Sequence, residues 1–257
     1  MKRVKSCEVF KKMSSLHKKI VIAMMLLAGA APGEQAHEMP PTKAYSIGNL
    51  QQEIHRGASP EILPEISPFG ADDVSEHVRS KVLRLIQEYK SYYTENPEGI
   101  ADFRARYAAA QEFIPLIREN SQTYNVPLEI ALGVFMQEAI RSDAISPKGA
   151  RGFYQLMPET ARSYGLRVGK HIDERVIPKS AIQAGIHHLA YLKEKSSSWP
   201  DALAAYNMGE TRLRNLKRRY GANTFWGLAF EVGRVPEETR KYVPKVYATA
   251  ETLRTSP

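Results

Sequence analysis

The sequence predicts an all-α chain, on three observations. Apolar residues recur at three- and four-residue steps over most of the chain after Asp72, the spacing of one helical face. The longest β-like run is too short to suggest a sheet. The stretch Val126–Glu138 is apolar nearly all round through Leu128, Ile130, Ala131, Leu132, Val134, Phe135 and Met136, which marks a helix inside a core. With 257 residues, 43% hydrophobic and 25% charged, there is room for one sizeable domain plus extensions. No internal repeat, low-complexity tract or Gly-rich phosphate loop is present.

Residues 1–30 have the form of a secretory signal or N-terminal anchor. A basic region is followed by the apolar run Ile20–Leu27 and the small residues Ala28-Gly29-Ala30-Ala31. The run is shorter than the roughly 20 apolar residues of a membrane span, so membrane attachment is expected only if the leader is retained. Seven cationic residues against Glu8 in the first 19 positions account for +6 of the net charge of +8. The remainder of the chain is nearly balanced, which argues against nucleic-acid binding by the folded part. The only cysteine, Cys7, lies in the leader, so no disulfide or thiol chemistry is expected after it. The expected compartment is the periplasm or cell envelope.

Residues 31–71, punctuated by Pro32, Pro40-Pro41, Pro60, Pro64 and Pro68, read as a flexible linker. Residues 72–119 read as a helical extension. One helix starts near Asp72/Asp73 and carries Val74, Val78, Val82, Leu85, Ile86 and Tyr89. A second spans about Ile100–Ile117 and is kinked or broken at Pro115. Residues 120–257 form the main domain. After Val126–Glu138 comes a loop with Ser146, Gly149, Ala150, Gly152 and Gln155. A helix opens at Pro158 and stops at Gly165, and the polar segment 166–178 is a loop. Helices are expected over Lys179–Lys195, from Pro200 into Ala204-Ala205-Tyr206-Asn207-Met208-Gly209, over Glu210–Tyr220 and over Pro236–Leu253.

Three motifs in this order carry the chemistry: Gln137-Glu138 at a helix end followed by Ser146-Pro147-Lys148-Gly149-Ala150-Arg151-Gly152-Phe153-Tyr154-Gln155-Leu156-Met157-Pro158, then Ala204–Gly209, then Pro236–Lys245. Their order resembles the soluble lytic transglycosylase domain (glycoside hydrolase family 23), with its goose-type, lysozyme-like fold, and most of all the D-type membrane-bound branch. The resemblance covers about Asn120–Ala250. It implies cleavage of peptidoglycan glycan strands between N-acetylmuramic acid and N-acetylglucosamine with a 1,6-anhydro product, and no metal or cofactor. A single Glu would protonate the leaving oxygen and then act as base. Burial at an apolar helix end would raise its pKa for that purpose. The resemblance assigns Ser146 and Tyr242 to orienting the acid, and Gly149, Ala150, Gly152, Tyr154, Gln155, Tyr206 and Asn207 to substrate, the small residues letting the backbone approach the sugar.

The register at the acid leaves two alternatives. Counting back nine residues from Ser146 without a gap reaches Gln137, whereas a one-residue gap puts Glu138 in place. One residue turns a helical side chain by about 100°, and both flanking stripes are apolar. Glu138 is favoured because a glutamine amide delivers no proton. With Gln137 in the position, the chain would be a silent glycan-binding module, a scaffold for an envelope or secretion complex. A hydrolytic muramidase would need a second carboxylate; Asp173, Glu174 and Glu210 are the nearby ones, with loop and surface roles expected. His187 and His188 are adjacent on a helix and cannot face one metal. Lys217-Arg218-Arg219 reads as a solvated face.

Overall fold

The computed structural model describes residues 66–69, 74–138, 142–196 and 198–255. The expected leader and nearly all of the expected linker lie outside the described residues, as do Asp72 and Asp73. Among the described residues β structure is limited to three isolated bridges, Ile145 with Arg151, Arg151 with Leu156 and Val168 with Asp173. The rest of the regular structure is helical.

Helix α1 spans Glu76–Thr94 and is capped by Ser75, whose hydroxyl accepts from the Val78 N–H. Helix α2, Pro97–Ala110, begins earlier than its apolar pattern suggests because Asn96 accepts from the Glu98 and Gly99 N–H groups. The single helix expected up to Ile117 is two. A 3₁₀ turn at Gln111–Phe113 separates α2 from α3, Ile114–Thr123. Pro115 therefore starts α3 rather than kinking α2, in the first turn where its missing N–H is no loss.

Helix α4, Leu128–Gln137, is the core: every residue from Glu129 to Met136 is buried. Glu129 is only 2% exposed and is compensated by Arg254 Nε at 3.0 Å. At Gly133 an added Cβ would stand 3.0 Å from the Val246 carbonyl, so the glycine sets how closely the last helix approaches. That helix is α10, Glu237–Thr255, which lies along both α4 and α1. Helix α2 also packs on α4. The extension expected at 72–119 thus shares the core, and its boundary with the main domain falls inside α3.

Between them come α5 (Pro158–Ser163), a 3₁₀ turn (Glu174–Val176), α6 (Pro178–Ser196), α7 (Trp199–Met208), α8 (Glu210–Tyr220) and α9 (Phe225–Phe230). Helix α9 is absent from the sequence reading. Six residues, five of them buried, are too few and too uniformly apolar to show a helical period. Long-range bonds tie the first described residues to the last helices: Trp226 donates to the Pro68 carbonyl at 2.6 Å and Ser75 to Glu231 at 2.7 Å. No described helix is long and apolar enough to cross a membrane.

Gly185 in α6 faces the fully buried Tyr154 ring so closely that any Cβ there would overlap it. Gly185→Ala is expected to cost about 1–3 kcal/mol in denaturant unfolding, as overpacked cores do. Gly169→Ala, which meets only the Ile172 carbonyl at 4.0 Å, should stay within about 0.5 kcal/mol.

Candidate active site

Glu138 caps the C-terminal end of α4, its N–H still bonded to the Val134 carbonyl at 2.9 Å. The residue keeps part of its surface exposed while the surrounding protein strips water from its carboxyl. Desolvation raises the pKa from 4.5 to about 7, Tyr242 acts in the opposite direction, and the charge of Glu238 raises it further. The Tyr242 hydroxyl is buried and, among the described residues, has no hydrogen-bond partner at full bonding distance. Burial raises the pKa of both Tyr242 and Tyr206, and the Glu138 carboxyl raises each of them further. Glu138, Tyr206 and Tyr242 therefore form one electrostatic cluster drawn from α4, α7 and α10.

Gln137 is turned elsewhere. Its amide nitrogen donates to Thr249 Oγ1 at 2.9 Å and to the Tyr93 hydroxyl at 3.2 Å, tying α4 to α10 and α1. The end of α4 is held from a third side by Arg106, which donates to the Met136 carbonyl at 2.8 Å and pairs with Asp102.

The loop from Ser142 to Met157 has little regular structure and is built around Arg175, only 6% exposed. One terminal guanidinium nitrogen donates to the Gly149 carbonyl at 2.8 Å and the Leu156 carbonyl at 2.9 Å. The remaining donors grip Asp173 at 2.9 and 2.8 Å, and Arg151 reaches the same carboxylate at 3.0 Å. These cations hold the Asp173 pKa down at about 2. Asp173 is thus an ion-pair anchor for the loop rather than a free second carboxylate. Glu174 is occupied by Arg167, and Glu210 pairs with Arg214.

The residues expected to serve substrate divide into two groups. Tyr206 and Asn207 stand on α7 with part of each exposed. Tyr206 donates to the Tyr154 carbonyl at 2.7 Å, and Asn207 accepts from Thr239 at 2.7 Å, leaving its amide N–H groups to donate. Gln155 has a left-handed backbone, φ 46°, and its amide nitrogen donates to the Gly152 and Ala144 carbonyls, which leaves its oxygen as an acceptor. Gly149 has φ 88° with open space where a Cβ would stand, and Ala150 lies beside it, part exposed.

Tyr154 is turned inward: it is fully buried and its hydroxyl donates to the Ala131 carbonyl at 3.1 Å, so its side chain supports α4. Gly152 is likewise buried and permits a close approach to the Arg175 carbonyl. The Ser146 hydroxyl accepts from the Ala150 N–H at 3.0 Å and closes its own turn. Arg175, Arg106, Glu238 and His188 were not singled out for the site by sequence reasoning. His188 is held neutral, with a pKa lowered to about 4 by burial, and packs between Tyr164 and Tyr206. Among the described residues no group of three or more His, Cys, Asp or Glu could hold a metal ion.

The buried helix that ends in this desolvated acid lies within a recognised class of domain: residues 115–228 match the family model of the Transglycosylase SLT domain. That match runs from α3 into α9 and leaves out α1, α2 and α10, hence Tyr242. The chain is 30% identical over 176 residues to membrane-bound lytic murein transglycosylase D of Escherichia coli strain K12, an alignment of 66% of this chain and 37% of that protein. It is 30% identical over 200 residues to membrane-bound lytic murein transglycosylase F of Pseudomonas fluorescens, 70% of this chain and 38% of that one. The chain therefore spans less than two fifths of the length of these relatives. Among solved structures, the 70 kDa soluble lytic transglycosylase of Escherichia coli superposes with a TM-score of 0.47 at 18% identity, over 81% of this chain and 42% of that one.

The raised pKa of Glu138 has a stability consequence. The unfolded chain ionises this carboxyl from about pH 4.5 and the folded chain only near pH 7. Stability is therefore full below the unfolded value and is lost as pH rises through the folded one. Glu138→Gln should consequently be more stable than the parent by about 3 kcal/mol at pH 8 and nearly equal to it at pH 4, read by chemical unfolding at the two pH values. Arg175→Lys should keep the helical circular dichroism but loosen residues 142–157, seen as faster amide exchange there.

Proposed function

We propose that this chain is a peptidoglycan lytic transglycosylase in which Glu138 acts first as acid and then as base. The observation that carries the reading is the desolvated carboxyl of Glu138, with a pKa of about 7, beside Tyr242 and Tyr206. The hydrogen bonds of the Gln137 amide to Tyr93 and Thr249 support Glu138 rather than Gln137 as the acid. Protonated Glu138 gives its proton to the glycosidic oxygen as the bond to the muramic C1 breaks, and the N-acetylglucosamine leaves as an alcohol. The carboxylate so formed takes the proton of the muramic 6-hydroxyl as that oxygen bonds to C1, which closes the 1,6-anhydro ring and returns Glu138 to its acid form. Tyr242 steadies the carboxylate stage, because its interaction favours the ionised form. The Asn207 amide N–H groups and the Gln155 oxygen are the free polar atoms for the N-acetyl groups and hydroxyls of the strand.

The substrate is the glycan strand of peptidoglycan, and the compartment is the cell envelope. Both are supported by the family and by the basic, apolar N-terminus. Hydrolysis is the second reading, favoured by one observation: the exposed carboxylate of Glu238, close enough to raise the Glu138 pKa, could hold a water.

Mass spectrometry of purified peptidoglycan digested with the chain separates these. Anhydro-muropeptides are expected, their release falling above about pH 7 as Glu138 loses its proton, and falling about 10²–10⁴-fold in Glu138→Gln. Reducing-end muropeptides would mean hydrolysis. No product from a chain that still sediments with peptidoglycan would mean a binding module.

A further inference from the structure

Outside the Glu138 site, the chemistry-bearing surface that remains unassigned lies where α3 meets α6. Tyr124 and His187 stack there with ring centroids 4.3 Å apart and planes 12° from parallel. Tyr164 also meets His187, its ring tilted by 60° with centroids 4.8 Å apart. Two depressions, of about 390 and 200 Å³, share Tyr124 and His187 in their walls, so the stacked pair forms the ridge between them. The larger falls in the range of ligand sites. Tyr191 lines it and is 36% exposed.

The uncharged polar groups around the ridge are amides and hydroxyls. Gln183 donates to the Tyr124 oxygen at 3.2 Å, which leaves the Tyr124 hydroxyl proton and the Gln183 carbonyl oxygen for a ligand. Asn125 is exposed and lines the larger depression; its left-handed backbone, φ 54°, ends α3, with the Val126 N–H returning to the Ser121 carbonyl at 2.9 Å. Charge does not favour an ionic ligand. Glu174, on the smaller depression, is neutralised by Arg167, and the larger one carries both Lys193 and Glu194. An aromatic ridge flanked by neutral amides and hydroxyls suits a pyranose, whose C–H face lies on a ring while its hydroxyl rim takes the polar groups.

We propose that the groove astride the Tyr124–His187 stack is a second glycan-binding site, distinct from the Glu138 site and holding the same strand or a neighbouring one. The identity of the polymer rests on the function proposed above. The geometry gives the separation: Tyr124 and Asn125 lead into the first residue of α4 while Glu138 follows its last, so the ten-residue helix, about 15 Å long, stands between them. A ligand engaged at both must be a strand of several sugars, and the gain is one of avidity rather than chemistry.

The test uses the full chain carrying Glu138→Gln, sedimented with purified peptidoglycan and with the same material stripped of stem peptides by an amidase. Tyr124→Ala combined with His187→Ala is expected to weaken retention about tenfold on both, the size of one lost aromatic contact, while Tyr124→Phe, which keeps the ring, is retained as the parent. In the catalytically intact chain, the double variant should release product from peptidoglycan more slowly yet act normally on a short soluble fragment that cannot span both sites. Unchanged retention of the double variant would overturn the proposal. So would a loss confined to peptide-bearing material, which would make the groove a stem-peptide site, or a loss in Tyr124→Phe equal to that in the double variant. A parent chain that releases no product from any substrate would sink the proposed activity instead, and the sedimentation comparison would still report on the groove.

Discussion

The turn that carries Gly149, Ala150 and Gln155 rests on the guanidinium of Arg175. That loop has only scattered backbone bonds of its own, so its shape must come from something that reaches in. Arg175 does so by bonding two carbonyls, those of Gly149 and Leu156, from one nitrogen, which fixes the two ends of the turn relative to each other. A charge buried to this degree is tolerable only when paired, and Asp173 supplies the pairing with both oxygens. Removing either partner would leave the other charged and uncompensated, so the pair acts as a unit. Gly152 completes the arrangement, since only a residue without a Cβ can lie against the Arg175 carbonyl.

Two carboxyls of this small region are driven in opposite directions by their surroundings. Asp173, clasped by two guanidinium groups, is held near 2, while Glu138, desolvated and opposed by Glu238, is lifted to about 7. The contrast follows from which elements carry them. Asp173 comes from a polar segment rich in arginine, whereas Glu138 ends a helix in which every residue from Glu129 to Met136 is buried. A carboxyl that remains protonated near neutrality is what proton donation to a glycosidic oxygen requires.

The helices were legible in the sequence wherever an apolar stripe was long enough to show its period: α4, α6, α8 and α10 fall within a few residues of expectation. The misses share a cause. Helix α9 is six residues of nearly uniform apolarity, and the start of α2 is set by the Asn96 cap rather than by hydrophobic spacing. At the site, the residue types were readable but not their directions. Tyr154 and Gln155 are neighbours in one motif, yet the first is sunk into the core against Gly185 and the second is folded back on its own loop. Whether Gln137 or Glu138 meets Tyr242 depends on where α4 stops and which of its sides α10 covers, and no local pattern encodes that. Arg175 carried no signal at all, because a buried arginine in a polar segment looks like a solvated one until its partners are known.

Tyr242 sits on α10, and α10 is bonded to residues far back in the chain: Thr249 to Gln137, Arg254 to Glu129, and Tyr247 to the Ser67 carbonyl across 180 positions. Contacts of such sequence separation close late in folding, after the entropy of the intervening loop has been overcome. A chain in which α10 has not yet docked would have α4 uncovered along one side, with neither Tyr242 beside it nor a desolvated Glu138. The acid thus acquires its unusual proton affinity only once α10 is in place, so the docking of one helix arms the site.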